Sequence, residues 1–134
     1  MGEFSYNVES GFTKEQSLTV NFNKGTVKSS INVFEIIDHG HTILYIPALD
    51  MSGYGDNRQE ANEMLIDSVS EYFQTLVKLP DYTITEELNK YGWQRSVFFK
   101  KKFQNSTYID KKGILQNFNL PEDTPVTETI LTTA

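Results

Sequence analysis

The segment from Asp50 to Asp56 holds oxygen-bearing side chains that could bind an ion. Its sequence, DMSGYGD, brings two carboxylates, a serine hydroxyl and two glycines together. The spacing lacks the repeated acidic positions and the distal glutamate of an EF-hand calcium loop. Gly53 and Gly55 ahead of a helix resemble a phosphate-binding loop, but Asp56 would repel the anion and no Gly-Lys pair follows. A turn that leads into a helix explains the same residues, and the segment itself predicts a loop or a short bulged strand. We therefore predict no ion site here.

His39 and His41 are the two histidines of the chain. If they lie on a strand, side chains two positions apart share a face and could bind one metal ion. A stable zinc site needs a third and a fourth ligand, and the nearest candidate is Asp38. A solvated hairpin turn over residues 38–41 is the alternative. We predict that the protein binds no metal and no other cofactor.

Known catalytic patterns add no candidate. The sequence has neither a Gly-x-Ser-x-Gly nucleophile elbow nor a His-Glu-x-x-His metal motif. It has no cysteine, which excludes disulfides, thiolate zinc sites and a cysteine nucleophile. We therefore predict a noncatalytic binding protein. The alternative from a different class is a small enzyme or ligand carrier that uses carboxylates and Tyr54 within residues 50–56, because loops before helices often carry function.

A basic and aromatic strip, RSVFFKKK, runs from Arg95 to Lys102. Aromatic rings mixed with positive charge are typical of proteins that bind single-stranded nucleic acid. An alternating strand, with Val97 or Phe98 and Phe99 inside and the lysines in water, gives the same pattern. We predict partner contacts at Tyr54, Asp56, Arg95, Lys100 and Lys102.

The charge is unevenly distributed along the chain. The net charge is −6, and residues 1–77 carry 11 acidic and 4 basic side chains, whereas residues 78–134 carry 7 acidic and 8 basic ones. This excess of acid argues against general binding to nucleic acid, which needs many Lys and Arg side chains. An acidic face and a basic strip could select a partner, or both could be ordinary solvated surface.

Hydrophobic periodicity predicts strands in the first third of the chain and a long helix after them. Residues 17–22 alternate, residues 26–37 are rich in β-branched side chains, and residues 42–49 are nearly all apolar. Residues 1–16 predict a loose arm or an edge strand. The helix has a capping box at Asn57 and a single apolar stripe, and it ends by Pro80. The stripe comprises Ala61, Leu65, Val69, Tyr72, Phe73 and Leu76.

The last third of the chain alternates between helix and strand signals. Thr83 begins a second capping-box pattern, which predicts a short helix over residues 84–91. Residues 93–103 predict a strand. Residues 104–125 are polar and predict a long, flexible loop or a set of turns. Residues 125–132 predict a final strand.

These elements predict a single α+β domain over residues 1–134. An antiparallel β-sheet with one long amphipathic helix forms a β-β-β-α core, and a short helix and one or two C-terminal strands are added to it. The apolar runs are too short to span a bilayer and no signal peptide is found, so we predict a cytoplasmic protein with no membrane partner. A free strand edge at residues 18–22 would favour a homodimer. The alternative is that residues 3–8 or the C-terminal strand over residues 126–131 cover this edge within one chain.

The stretch from Ser30 to Leu76 resembles the HicB-like antitoxin family. The features that carry the resemblance are a strand that ends in YIPAL at residues 45–49, the GYGD turn at residues 53–56, and Glu-Ala at residues 60–61, where the amphipathic helix starts. The motif fixes an ordered set of turn and cap residues over about a third of the chain.

The resemblance implies a HicB-like core over residues 30–77, followed by an extension over residues 78–134. Such a core is a noncatalytic, ribonuclease-H-like β-β-β-α-β unit that binds and masks a small RNA-cleaving toxin. It implies a small basic protein as the partner, and a homodimer. Family members usually add a helix-turn-helix or ribbon-helix-helix segment for DNA. No such segment follows residue 78, so DNA binding is doubtful, and an uncharacterised interaction domain remains an alternative.

Overall fold

The computed structural model describes residues 6–133, which form eight strands and three helices. The strands are β1 (Tyr6–Ser10), β2 (Gln16–Asn21), β3 (Thr26–Asp38), β4 (His41–Ile46), β5 (Met51–Gly55), β6 (Gln94–Arg95), β7 (Lys102–Asn105) and β8 (Val126–Thr133). The helices are α1 (Arg58–Leu76), α2 (Asp81–Asn89) and α3 (Lys111–Asn117). The α+β class is confirmed, and the antiparallel sheet is larger than predicted. Within the described residues, no helix is long and apolar enough to cross a membrane.

β3 is the central strand of the sheet and pairs with β2, β4 and β8. β8 pairs along one edge of β3, and β1 pairs with the far side of β8. Two strands share the other edge of β3, because β2 pairs with its first half and β4 with its second half. β7 and β6 extend the branch that starts at β2, whereas β5 extends the branch of β4. The sheet therefore forks beside β3.

α1 packs on one face of the sheet through the stripe that the sequence predicts. Its fully or nearly fully buried residues are Ala61, Leu65, Val69, Phe73 and Leu76. These side chains form one core cluster with Leu18, Ile31 and Leu44 of the sheet, and with Ile84 of α2. Tyr72, which was predicted in the stripe, is partly buried at the margin of this cluster.

The start of α1 is capped as predicted. Asn57 Oδ1 accepts the backbone N–H of Glu60 at 3.0 Å. Glu60 Oε1 in turn accepts the N–H of Asp56 at 2.9 Å, one residue earlier than in the standard capping box. The two hydrogen bonds fix the helix start directly after β5.

The glycines of residues 50–56 allow α1 to lie directly against β5. The segment is mostly a strand, so the short strand that we predicted as the alternative to a loop is the one that forms. A Cβ at Gly53 would collide with the backbone of Ala61 and Leu65, and a Cβ at Gly55 would collide with Glu60. Close approach of a helix to a strand is one of the few reasons for glycine within a strand. The close packing of α1 on β5 therefore explains both glycines, and no phosphate-binding role is needed to account for them.

A second, smaller core lies on the opposite face of the sheet. Phe34 and Ile36 alternate along β3 with residues of the main core, so they point to the other side. Ile114 and Leu115 of α3 pack against them. The sheet is thus covered by α1 on one face and, in part, by α3 on the other.

The predicted flexible loop over residues 104–125 is wrong, because it contains the end of β7 and all of α3. Asp110 caps α3 by accepting the N–H of Gly113 at 2.8 Å. The helix has seven residues and buries Ile114 and Leu115. Two adjacent apolar residues do not establish a helical period, so the hydrophobic pattern did not predict a helix here.

The predicted strand over residues 93–103 is interrupted. β6 and β7 form an antiparallel hairpin near its two ends, and residues 96–101 turn back between them. Val97 or Phe98 was expected to face inward together with Phe99, but Val97, Phe98 and Phe99 are 88 %, 89 % and 68 % exposed. The alternation of apolar and polar residues predicted burial wrongly here, because no second layer of the fold covers the tip of this short hairpin.

α2 begins earlier than predicted. It starts at Asp81 with Pro80 at the N-cap position, instead of with Thr83 as the cap. α1 has already ended at Leu76. Proline suits the start of a helix because its φ is already near the helical value and its missing N–H would have no helical partner there.

The predicted free edge at residues 18–22 is also wrong. β2 pairs with β3 on one side and with β7 on the other, and Leu18 and Val20 are fully buried within the chain. Over residues 6–133 the outer strands of the sheet are β1, β5 and β6. The edge argument for a homodimer therefore fails, and dimerisation stays a prediction.

Candidate functional site

A cleft of about 400 Å³ opens where the sheet forks. It is bounded by the segment before β2, the middle of β3, the turn after β4, the end of α2 and the segment between β7 and α3. Aromatic, amide and charged side chains line much of it: Phe12, Gln16, Asn32, Phe34, Tyr45, Asp50, Lys90, Tyr91 and Tyr108. The cleft therefore lies between the two branches of the sheet.

Two buried amide side chains build the fork. The middle of β3 lies between the residues that pair with β2 and those that pair with β4, and there Gln16 Oε1 accepts the N–H of Asn32 at 3.0 Å. The Asn32 side chain then binds the backbone of Thr13 twice, at 2.8 and 2.9 Å. This clamp places Phe12 at the rim, where its ring meets Tyr108 edge to face at a centroid distance of 5.7 Å.

A third buried amide, Asn105, supports the opposite wall. Its Nδ2 donates to the carbonyl oxygen of Tyr91, and its Oδ1 accepts the N–H of Thr107, both at 2.9 Å. Sequence reasoning missed these amides. The available signal was a polar residue in an otherwise apolar stretch, as with Asn32 in β3, since buried polar groups need partners and often organise a site.

Asp50 supplies the carboxylate of the cleft. It ends the turn of residues 47–50 with φ +50°, a left-handed conformation that is uncommon for residues other than glycine. Its Oδ1 accepts the hydroxyl of Tyr45 at 3.0 Å. Trp93 Nε1 donates to the carbonyl oxygen of Ala48 at 2.7 Å and so holds the same turn from the core side. Backbone strain of this kind is found at functional positions, where the side chain must be held in one place.

Tyr45 acts as a neutral hydrogen-bond donor in this pair. Burial, the hydrogen bond to Asp50 and the charge of that carboxylate raise the pKa of Tyr45 to about 12. Phe118 packs against this ring edge to face at a centroid distance of 5.0 Å, on the face of the sheet that carries the smaller core. At neutral pH the phenol therefore stays protonated and orients the carboxylate as a hydrogen-bond donor.

The cleft is negatively charged around Asp50. Lys90 also lines the cleft, but its ammonium lies 3.1 Å from Glu87 Oε2 and forms an ion pair with that carboxylate. Among residues 6–133, no Lys, Arg or His side chain lies within ion-pair distance of Asp50. A cation from outside the chain would find an uncompensated carboxylate beside aromatic rings.

No protein family, curated protein or solved structure matches this chain. A fold alone does not specify a function. The chemistry of the cleft and of the β6–β7 hairpin is therefore the basis for inference.

Tyr54 and Asp56, two of the predicted partner contacts, lie on the β5 branch outside the cleft. Tyr54 is 64 % exposed and points away from α1, because its neighbours Gly53 and Gly55 face the helix. The Asp56 carboxylate lies 3.1 Å from His41 Nδ1. Of the two aspartates in the segment 50–56, Asp50 lines the cleft and Asp56 does not.

The β6–β7 hairpin, at the end of the branch that starts at β2, carries the other predicted contacts, Arg95, Lys100 and Lys102. Arg95 forms a bidentate ion pair with Asp81 at 2.6 and 3.0 Å and lies 5.3 Å from the centre of the Phe103 ring. This hydrogen bonding lowers the pKa of Asp81. Arg95 thus joins the hairpin to α2, while Lys100 is exposed and Lys102 is half-buried. The structure places the predicted contacts in two groups on different branches.

The histidines lie at the β3–β4 hairpin. His39 Nδ1 is 2.6 Å from Asp38 Oδ1, and His41 pairs with Asp56 instead of the same carboxylate. Within the described part of the chain, no three His, Asp or Glu side chains converge in a way that could hold a metal ion.

Asp50→Asn should lower the pKa of Tyr45. The amide keeps an acceptor for the phenol but removes the negative charge, so the pKa should fall from about 12 toward the ordinary value of 10.0. Absorbance of tyrosinate during an alkaline titration measures the shift, with Tyr45→Phe identifying the signal. Asp67→Asn, on the exposed face of α1, is the matched control and should change nothing. An unchanged titration in Asp50→Asn would contradict the contact.

The same pKa makes folding sensitive to alkaline pH. Because the folded-state pKa is raised, Tyr45 contributes stability that is present below pH 10.0 and is lost as the pH rises through about 12. Urea unfolding across this window should show a shallower decline for Tyr45→Phe than for the wild type. Parallel declines would show that Tyr45 titrates alike in both states.

Proposed function

We propose that this protein is a noncatalytic binding protein that captures a Lys or Arg side chain of a basic protein partner in the cleft at the fork. The observation that carries the proposal is the Asp50 carboxylate, which has no cationic partner among the described residues and stands beside aromatic rings. A carboxylate with aromatic walls combines charge-assisted hydrogen bonding with cation–π attraction.

The cleft suits the two parts of a long basic side chain. Lys and Arg have an apolar stem and a charged head, and the stem packs favourably on aromatic rings such as those of Phe12 and Tyr108. The Tyr45 hydroxyl occupies Oδ1 of Asp50 and orients the carboxylate, so that Oδ2 can accept from the incoming cation. The buried amides hold these walls rigid, which reduces the entropic cost of binding.

The charge of the chain favours a basic partner. Residues 1–77 carry most of the excess acid, and they provide Asp50 and β3 to β5. A surface of one sign steers a partner of the opposite sign and raises the association rate. A small basic protein fits this field better than a nucleic acid does.

A small RNA-cleaving toxin is the partner class that we favour. β3, β4, β5 and α1 follow each other in the β-β-β-α order of the HicB-like core that residues 30–77 resemble. A protein that binds RNA needs a basic surface to contact phosphates, and an acidic cleft could mask such a surface. A cytoplasmic location and a homodimer belong to this same proposal.

The proposal does not include DNA binding. α1 and α2 follow one another, but α2 carries Asp81, Glu86 and Glu87 and has no Lys or Arg within it. A helix of that composition would repel phosphates at the major groove.

A small organic cation is the second candidate for the same cleft, and it would make the protein a ligand carrier. The volume of about 400 Å³ is in the usual range for small-molecule sites, roughly 300–1,000 Å³. An enzyme that uses several residues of the segment 50–56 has less support, because Tyr54 and Asp56 lie outside the cleft.

Affinity capture from the native host tests the proposal, with the wild type and Asp50→Asn as parallel baits. We expect a small basic protein to be retained by the wild type and to bind at least about tenfold more weakly to Asp50→Asn, since losing a charge partner in an interface commonly costs more than 1.4 kcal/mol. Calorimetric titration of the recovered partner measures the ratio. Asn keeps the left-handed backbone accessible, so the turn should persist.

Asp67→Asn is the matched control, because it removes one exposed carboxylate outside the cleft, and it should capture the partner like the wild type. Recovery of no basic protein, or equal binding by both baits, would sink the proposal. Native mass spectrometry that finds a small cation in the wild type only would favour the ligand carrier.

A further inference from the structure

The turn of the β6–β7 hairpin, residues 96–101, presents an apolar tip to solvent, and we refer to it as the hairpin tip. Val97, Phe98 and Phe99 are 88 %, 89 % and 68 % exposed. Single exposed apolar residues are ordinary, but three consecutive ones mark an interaction site. The exposed Lys100 and Lys101 follow directly.

The hairpin tip is a defined turn. The N–H of Ser96 donates to the Lys102 carbonyl at 2.8 Å, and the N–H of Lys102 donates to the Phe99 carbonyl at 2.9 Å. Ser96 Oγ accepts the N–H of Phe99 at 3.1 Å. At the base, the Arg95–Asp81 ion pair fixes the hairpin to α2. The aromatic rings are therefore held outward by the backbone.

We propose that the hairpin tip inserts into the anionic surface of a lipid bilayer. This inference concerns the other branch of the sheet and goes beyond the function proposed for the cleft. It replaces the prediction of no membrane partner, which was based on the length of apolar runs and so addressed spanning and not surface binding. An anionic surface is characteristic of the cytoplasmic leaflet.

The geometry of the tip favours a lipid surface over a protein surface. Val97, Phe98 and Phe99 are all exposed within one tight turn, so a surface that covers all three side chains has to yield around the turn. The boundary between headgroups and acyl chains surrounds an inserted tip on all sides, and phenyl rings bind well there.

The charge around the tip favours anionic lipid. Residues 96–102 contain three lysines and no Asp or Glu. Asp81, at the base of the hairpin, already pairs with Arg95. Lysines just behind an inserted apolar tip lie at the depth of the lipid phosphates, where each one adds electrostatic attraction.

Single-stranded nucleic acid fits these residues less well. Its binding needs a basic groove that follows the backbone, together with spaced rings on which successive bases stack. The two phenyl rings of the hairpin tip are adjacent in sequence, so they lack that spacing.

Co-sedimentation with vesicles tests the proposal on the full chain, using phosphatidylcholine alone and phosphatidylcholine mixed with phosphatidylserine. We expect binding to the mixed vesicles only, and weaker binding as salt is added. Phe98→Ser combined with Phe99→Ser should reduce the partition coefficient by at least about tenfold, because two apolar groups no longer insert. Lys100→Glu combined with Lys101→Glu should reduce it by a similar factor and does not depend on the rings.

The matched controls change the same residue types elsewhere. Lys111→Glu with Lys112→Glu alters two exposed lysines of α3, and Ile37→Ser alters an apolar residue of β3 that is 38 % exposed. Both should bind vesicles much as the wild type does. No binding to mixed vesicles would overturn the proposal, as would equal losses in the controls. Binding of a fluorescent single-stranded oligonucleotide that the tip variants abolish, with vesicle binding unaffected, would overturn it in favour of nucleic acid.

Discussion

Gly53→Ala should destabilise the fold by about 3 kcal/mol, the upper end of the usual cost of overpacking. The added Cβ would meet the backbone oxygen of Ala61 and the backbone nitrogen of Leu65 in α1. Helix backbone cannot rotate away as a side chain can, so α1 has to move off β5. That movement opens the main core along the whole stripe of α1, which includes Leu65 and Val69.

Urea unfolding followed by circular dichroism measures this loss. Ser52→Ala is the matched control, because Ser52 is the neighbouring strand residue and is exposed on the other side. It should change the free energy of unfolding by less than about 0.5 kcal/mol, as surface changes usually do. A cost below about 1 kcal/mol for Gly53→Ala would mean that the helix does not lie this close, since forced overpacking costs more.

The parts of the fold that the sequence predicted are those with a long, regular pattern. α1 was predicted correctly in place, cap and buried face, because a 19-residue helix repeats its period several times. β3 was predicted for the same reason, since β-branched residues run along most of its length. The β3–β4 hairpin was also predicted correctly, because its turn residues are typical of a hairpin.

Short elements without a period of their own were missed. α3 has seven residues, and the strands of the β6–β7 hairpin have two and four. Elements this short have too few residues to show a period, so tertiary contacts decide their structure. β1 and β8 show a related limit. The C-terminal strand was predicted, but its place between β1 and β3 depends on pairing between residues about a hundred positions apart, such as Ile31 with Leu131.

The cleft was not predictable from local sequence, because its walls come from five separate segments. Asp50 was considered only as part of its own segment, with Tyr54 and Asp56, whereas in the fold it faces Tyr45 and the rings of distant segments. The hairpin tip shows the opposite error. Its aromatic and basic composition was noticed, but alternation suggested burial where the fold provides nothing to cover the rings.

Trp93→Ala should cost about 3–5 kcal/mol, as expected for removing a large aromatic side chain from a core. Trp93 is fully buried in the main core and follows the end of α2. Its Nε1 also donates to Ala48 in the turn that carries Asp50. The variant therefore loses packing and leaves a buried carbonyl without its donor, and a thermal or urea unfolding curve should show both effects together.

Trp93→Phe separates the hydrogen bond from most of the packing. A phenyl ring still fills much of the space, and the unsatisfied carbonyl of Ala48 should cost about 1–3 kcal/mol. The turn then loses its anchor on the core side, so Asp50 should be less well placed. We expect the pKa of Tyr45 to fall and capture of the basic partner to weaken, both measured well below the melting temperature.

Leu88→Ala distinguishes this effect from general loss of stability. Leu88 is a fully buried residue of α2, and its truncation should cost about 2–5 kcal/mol. Its side chain makes no hydrogen bond to the turn of residues 47–50, so partner capture and the titration of Tyr45 should remain close to those of the wild type. If Leu88→Ala weakens capture as much as Trp93→Phe does, the binding loss reflects stability, and the hydrogen bond from Trp93 to Ala48 has no specific part in placing Asp50.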